Sequence, residues 1–208
     1  MSRQIRLILA STSAYRRQLL ERLRIPFECE RPETDESPLS GETFVQTALR
    51  LSAAKARAVS GRCPGTLIIG SDQVASCEGR RLDKPGNHAT AVEQLRHVSG
   101  RTAVFDTAVS VLDTASGQLE SRLIPCRVAF RTLSEERIER YLRLEQPYDC
   151  AGSAKSEGLG VVLMERIECE DPTALIGLPL IAVSELLTKF GLDPLRPPPS
   201  DQRNPAGE

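Results

Sequence analysis

Two long strand-like stretches, Thr102–Leu112 and Leu119–Arg131, flank the turn residues Asp113–Gln118, and a hairpin of that length commits the chain to a sheet. Shorter strand patterns lie on either side, at Ile5–Ala10, Thr66–Ser71, Gln73–Cys77 and Val161–Ile167. Helical patterns alternate with them: Ala14 to about Leu23, the Ala-rich Glu42–Ser60 closed by Gly61, His88–Ser99 stopped by Gly100, a helix capped by Ser134 and running to about Leu144, and Pro179 to Gly191. Strands alternating with helices around a central hairpin imply an α/β fold, a mixed twisted sheet with flanking helices. Two lobes around a cleft are expected, with boundary elements near Leu82–His88 and Pro147–Leu159. Residues 1–193 read as a single domain, and the polar, proline-rich stretch 194–208 as a disordered tail.

The chain has 208 residues, with 27 Lys plus Arg against 28 Asp plus Glu and a formal net charge of -1. A near-neutral chain carries no global field for nucleic acid or a membrane surface, so any polyanion site has to be local. No apolar run reaches the ~18 residues needed to span a bilayer, and Met1-Ser2-Arg3-Gln4 leads straight into a strand pattern, not a signal peptide. The cytoplasm is the expected compartment. Cys29, Cys63, Cys77, Cys126, Cys150 and Cys169 stand singly, with no C-x-x-C pair, and His88 and His97 are the only histidines. A zinc site therefore has few ligands to draw on, and the thiols read as small, partly buried hydrophobes in a reducing compartment. A catalytic cysteine is disfavoured for want of an activating neighbour.

Five segments carry residues suited to chemistry. Ser11-Thr12-Ser13-Ala14-Tyr15-Arg16-Arg17 stands at a strand-to-helix junction, where unpaired N–H groups, hydroxyls and guanidinium groups suit a phosphate; Ser13 serves equally well as a plain N-cap. The acidic loop Glu33-Thr34-Asp35-Glu36 between Pro32 and Pro38 offers oxygen ligands to a divalent cation, or is simply solvated surface. Lys55 falls on the apolar stripe of Phe44, Ala48 and Leu51, so it either snorkels to solvent or points its ammonium into a cleft. Leu67–Gln73 is an apolar strand ending in Gly70 and Asp72; the glycine lets another group come close, and the aspartate lies where open α/β sheets keep their sites. Lys84, before Pro85, adds a second cation near that cleft. Gln146–Gly158 is a long polar loop, too long for mere connection.

In this order the segments resemble the Maf family of nucleotide pyrophosphatases, from Leu7 to about Leu187. Leu9–Arg16 follows the pattern L-A-S-x-S-x-x-R, the acidic loop ends at Glu36, and Lys55 is the helical lysine. Gly70-Ser71-Asp72 is G-x-D, then come Lys84-Pro85, Ser99-Gly100, Pro147–Gly152 as P-x-D-x-A-G, and Ile176–Leu180 as V/I-G-L-P-L. The resemblance implies a two-lobed fold related to the inosine triphosphate pyrophosphatases and a metal-dependent attack of water on the α-phosphate of a nucleoside triphosphate. It implies a house-cleaning role that keeps modified nucleotides from incorporation. Asp72 resembles the proton acceptor, Glu36 a metal-binding or assisting carboxylate, and Ser13, Arg16, Lys55 and Lys84 phosphate ligands, with Mg²⁺ or Mn²⁺ held by Glu36 and Asp72. An aspartate bound to a cation is a poorer base, so the division of labour at Asp72 stays open.

Subgroups of the family differ at positions that are Tyr15, Gln73 and Glu157 here. The combination resembles the 7-methyl-GTP subgroup, although Tyr15 replaces a larger aromatic; the dTTP and UTP subgroup tends to carry Arg, Thr and Gln. The charge of 7-methylguanine suits an aromatic face, and Glu157 suits the N1–H and exocyclic amine of guanine, whereas a pyrimidine sets a carbonyl against it. Gln73, as a free amide, discriminates little. The expected partner is a small nucleoside triphosphate, with neither membrane nor nucleic acid; a homodimer is an open option. The alternatives are a dTTP or UTP pyrophosphatase, or a non-catalytic nucleotide-binding regulator of cell division.

Overall fold

The computed structural model describes residues 5–196. The tail expected at 194–208 therefore falls outside the described residues from position 197 onward. Among the described residues seven strands form one sheet in the order β2-β1-β3-β5-β6-β7, with β4 paired to β3. These are β1 (Arg6–Ala10), β2 (Glu28–Glu30), β3 (Thr66–Cys77), β4 (Arg80–Arg81), β5 (Thr102–Asp113), β6 (Leu119–Phe130) and β7 (Met164–Cys169). β1 runs parallel to β2 and β3, and all other pairs are antiparallel. Among the described residues five helices flank the sheet: α1 (Ala14–Glu21), α2 (Phe44–Ser60), α3 (His88–Val98), α4 (Glu135–Glu145) and α5 (Leu180–Lys189).

The central hairpin is β5–β6, as the turn chemistry demands, with Asp113 N–H bonded to Gln118 O and Gly117 at φ +75°. Side chains alternate across the long strands, so each strand feeds both faces. On one face Leu7, Leu9, Ile69, Val109 and Val111 pack with α1 and α5, while Ala75, Cys77, Ala103 and Phe105 pack with α3 and α4. Two apolar cores thus lie one after the other along the same strands. Between them the same face turns polar, at Ser71, Gln73 and Thr107. The opposite face carries α2, seated on Ile8, Ile68, Val74, Ala108 and Leu112.

Several boundaries differ from the sequence reading. β3 runs unbroken through Gly70–Asp72, because Gly70, Ser71 and Asp72 each pair with β5, opposite Ser110, Val109 and Ala108. α2 starts at Phe44, two residues late, because Thr43 and Gln46 close a capping box there. Leu159–Leu163 is a 3₁₀ turn, so β7 begins only at Met164. β2, three residues at the sheet edge, carries too short a pattern to be read locally. Cys126 and Cys169, expected as separate thiols, stand opposite each other in the β6–β7 register and form a disulfide. Their separation of 43 residues conceals that register in the sequence.

Candidate active site

β1 stops at Ala10 while its neighbour β3 continues to Cys77, so the flank of β3 is left uncovered from Gly70 until β4 pairs with Ser76 and Cys77. A cleft of about 1080 Å³ opens there. It is bounded by the start of α1, the acidic loop, Lys84 and the loop carrying Glu157. Ser13, Tyr15, Arg16, Glu36, Lys55, Asp72, Gln73, Lys84 and Glu157, named separately from the sequence, all line this one cavity.

The floor of the cleft depends on Gly70. A Cβ there would lie 2.1 Å from Ser52 O and 2.7 Å from Ala56 N, so only glycine lets the α2 backbone settle against β3. Two residues on, Asp72 points to the same face, and Lys55 comes from the turn of α2 directly above. Lys55 lies amid the buried residues Leu51, Ser52, Ala56 and Val59, which rules out the snorkelling alternative. Its Nζ stands 2.7 Å from Asp72 Oδ1 and 2.8 Å from Glu36 Oε1. The Lys55 and Asp72 side chains are only 7% and 8% exposed, against 58% for Glu36. Charges so buried have to be paired. Burial works against the Glu36 carboxylate, yet the hydrogen bond and charge of Lys55, with Arg16 and Lys84 behind, hold its pKa below the ordinary value.

The acidic loop is tied to α2 by a second pair. Glu42 receives both Arg50 Nε and Nη2, at 2.6 and 2.8 Å, and accepts from Leu39 N and Thr47 Oγ1. Arg50 also reaches Ser37 O.

At the other wall Ser13 caps α1, its hydroxyl accepting from Arg16 N at 3.4 Å. The capping alternative is therefore realised, while Ser13 still lines the cleft. Arg16 donates Nε–H to Gly177 O at 2.8 Å, leaving its two Nη groups without a protein acceptor among the described residues. Burial lowers the pKa of Arg16, opposed by the charges of Asp72 and Glu36. Lys84 is exposed and makes no ion pair among the described residues.

Tyr15 donates to Asp149 Oδ2 at 3.2 Å, and Lys155 Nζ stands 5.8 Å from its ring centroid. The exposed Glu157 carboxylate accepts from Ser156 Oγ at 3.3 Å. Cys150 lies against this group, and burial pushes its thiol up to about 12. A thiol so raised is no nucleophile at neutral pH.

The sequence reading named Ile176–Leu180 as a motif but gave no role to Gly177, whose carbonyl holds Arg16. Gly177 O accepts from Arg16 and also from Ser71 Oγ at 3.0 Å, and Gly177 has φ +121°. The segment is anchored by Asp171, only 2% exposed, which accepts from Thr173 N and Oγ1 and from Ile181 N and Ala182 N at the start of α5. Thr173 Oγ1 in turn accepts from Leu180 N. Asp171-Pro172-Thr173 ahead of a helix was the available signal, an acidic and a hydroxyl side chain able to cap it.

No group of three or more His, Cys, Asp and Glu side chains among the described residues is arranged to hold a metal ion. Glu36 and Asp72 nevertheless converge on a single point, the Lys55 ammonium. Each turns one oxygen to Lys55, and the remaining carboxylate oxygens suit a cation such as Mg²⁺, which takes one or two carboxylates and completes its shell from substrate phosphates and water.

Sheet, helices and cleft define the class: a mixed α/β protein whose charged side chains converge beside the one strand that outruns its parallel neighbour. The chain belongs to the Maf family, the model of the Maf-like proteins matching residues 6–190. A relative from Cupriavidus pinatubonensis is 55% identical over 89% of this chain and 94% of its own length, and one from Albidiferax ferrireducens is 53% identical over 91% and 95%. Both are named 7-methyl-GTP pyrophosphatase. Among solved structures, a HAM1 protein from Coxiella burnetii aligns with a TM-score of 0.43 at 14% identity, over 77% of this chain and 98% of that one. No helix among the described residues is long and apolar enough to cross a membrane.

Proposed function

We propose that the protein is a nucleoside triphosphate pyrophosphatase that hydrolyses 7-methyl-GTP to 7-methyl-GMP and diphosphate. The observation that carries this reading is the union of a cationic group and an acidic group in one cleft, in a chain more than half identical to relatives of that name. Residues 1–193 act as one domain whose two cores share the long strands, working in the cytoplasm on a small-molecule substrate.

Arg16, Lys55, Lys84 and the Ser13 hydroxyl bind the triphosphate, neutralising charge that grows as the anhydride breaks. Asp72, held by Lys55, takes the proton of the water that attacks the α-phosphate, and Glu36 assists from the acidic loop. Glu36 and Asp72 are also the residues that would hold a divalent cation, which when bound neutralises phosphate oxygens and improves the leaving group. Tyr15 and Glu157 read the cationic base, through the ring face and through the carboxylate.

The test is diphosphate release from a panel of 7-methyl-GTP, GTP, dTTP and UTP with Mg²⁺ or Mn²⁺ added. The highest kcat/KM is expected for 7-methyl-GTP. A preference for dTTP or UTP would transfer the assignment to that substrate class, and no release from any triphosphate would leave a nucleotide-binding protein without catalysis.

A further inference from the structure

Gln73 and Thr107 stand directly opposite each other in the β3–β5 register, on the polar band between the two cores. Thr107 is fully buried and donates its hydroxyl proton to Ala174 O at 2.9 Å. Gln73 Nε2 lies 2.9 Å from Thr107 Oγ1, 3.0 Å from Ala174 O and 3.1 Å from Leu175 O. Carbonyl oxygens only accept, so the atom facing them has to be the amide nitrogen. Thr107 has given its own proton to Ala174 O, so its oxygen accepts from Gln73. Both N–H groups of the amide are consumed by the protein. Gln73 Oε1 takes no hydrogen bond from any described residue, and Gln73 lines the cleft. An amide free to turn offers a donor or an acceptor; this one offers an acceptor only.

We infer that Thr107 is a positioning residue for base recognition: it locks Gln73 so that only a carbonyl oxygen faces the nucleotide, selecting bases whose edge carries N–H donors. The carboxylate oxygens of Glu157 accept as well. Guanine sets its N1–H beside an exocyclic amine, hypoxanthine lacks the amine, and uracil flanks its single N–H with two carbonyls. The inference rests on the assignment of 7-methyl-GTP as substrate and names the device that would enforce it.

The test compares 7-methyl-GTP with 7-methyl-ITP, which differ by the one exocyclic amine, in wild type, Thr107→Val, Thr107→Ser and Gln73→Leu, with melting temperatures alongside. Thr107→Val should lower the ratio of the two kcat/KM values about three- to tenfold, the worth of roughly one neutral hydrogen bond. Thr107→Ser, which keeps the hydroxyl, should restore it, and Gln73→Leu should lower it at least as far. A fall of both kcat/KM values by the same factor in Thr107→Val would report a disturbed loop alone and overturn the inference. An unchanged ratio in Gln73→Leu would do the same, and decides the matter should Thr107→Val not fold. Wild type that fails to cleave 7-methyl-GTP removes the substrate assignment and the inference with it; cleavage with an unmoved ratio removes only the inference.

Discussion

Replacing Gly70 with alanine tests how the site is assembled without touching any charged group. The added Cβ would meet Ser52 O at 2.1 Å, Ala56 N at 2.7 Å and Ala56 Cβ at 3.2 Å. The first two are backbone atoms of a helix and cannot turn aside as a flexible side chain would. Restoring ordinary contact requires α2 to lift from β3 by roughly 1 Å. Overpacking of this kind costs about 3 kcal/mol, and for a domain of this size that corresponds to a melting temperature lower by roughly 6 to 12 °C. The lift also carries Lys55 away from Asp72, stretching a 2.7 Å contact past the hydrogen-bonding range. A misplacement of about 1 Å in a catalytic group can cost on the order of a hundredfold in rate. Gly70→Ala should therefore show a reduced melting temperature by calorimetry and a kcat/KM for diphosphate release down by about two orders of magnitude. A variant that melts within about 2 °C of wild type and turns over within about threefold of it would refute the claim that close approach of α2 builds the site.

Asp72→Asn should nearly abolish turnover while the chain still folds, at a lower melting temperature, since the amide fills the same space but neither takes the proton nor balances the buried Lys55; near-normal diphosphate release would remove Asp72 from the mechanism. Glu157→Gln should leave the fold intact and reduce discrimination for 7-methyl-GTP over UTP by about tenfold to several hundredfold, read as the ratio of kcat/KM values at saturating metal; an unmoved ratio would mean that Glu157 does not read the base. The Glu42 carboxyl is held down to about 2 by its hydrogen bond to Arg50, with Leu39 N and Thr47 adding to it. Its folded pKa lies below its ordinary 4.5, so its contribution to stability is fully present above about 4.5 and is lost as pH falls towards about 2. Denaturation profiles of wild type and Glu42→Gln should therefore differ most near neutral pH and converge on acidification, and a constant gap across the range would count against this pair as the clamp of the acidic loop.

Much of the fold was written locally. The β5–β6 hairpin, the helices and several of their caps follow from short-range periodicity, turn residues and capping chemistry, each satisfied within a few residues of chain, whereas the break expected near Asp72 is overridden by continuous pairing of β3 with β5. Parts of the site were legible for the same reason: Gly70 and Asp72 at a spacing of two must share a face, and Lys55 on an apolar stripe needed a partner. What stayed hidden depends on which distant segments meet. The pairing of Cys126 with Cys169 is set by the β6–β7 register. The carbonyl that aims Arg16 belongs to Gly177, a backbone group with no side chain to announce it. Gln73 looked amphoteric because an amide in isolation is; only Thr107 on the neighbouring strand, with Ala174 and Leu175 approaching from the far end of the chain, consumes its donors and leaves one face to the cleft. Residue type and spacing decide which conformation each segment prefers, because those energies are local. Hydrogen-bond orientation inside the cleft is decided by groups far apart in sequence, brought within bonding distance only when the sheet has closed.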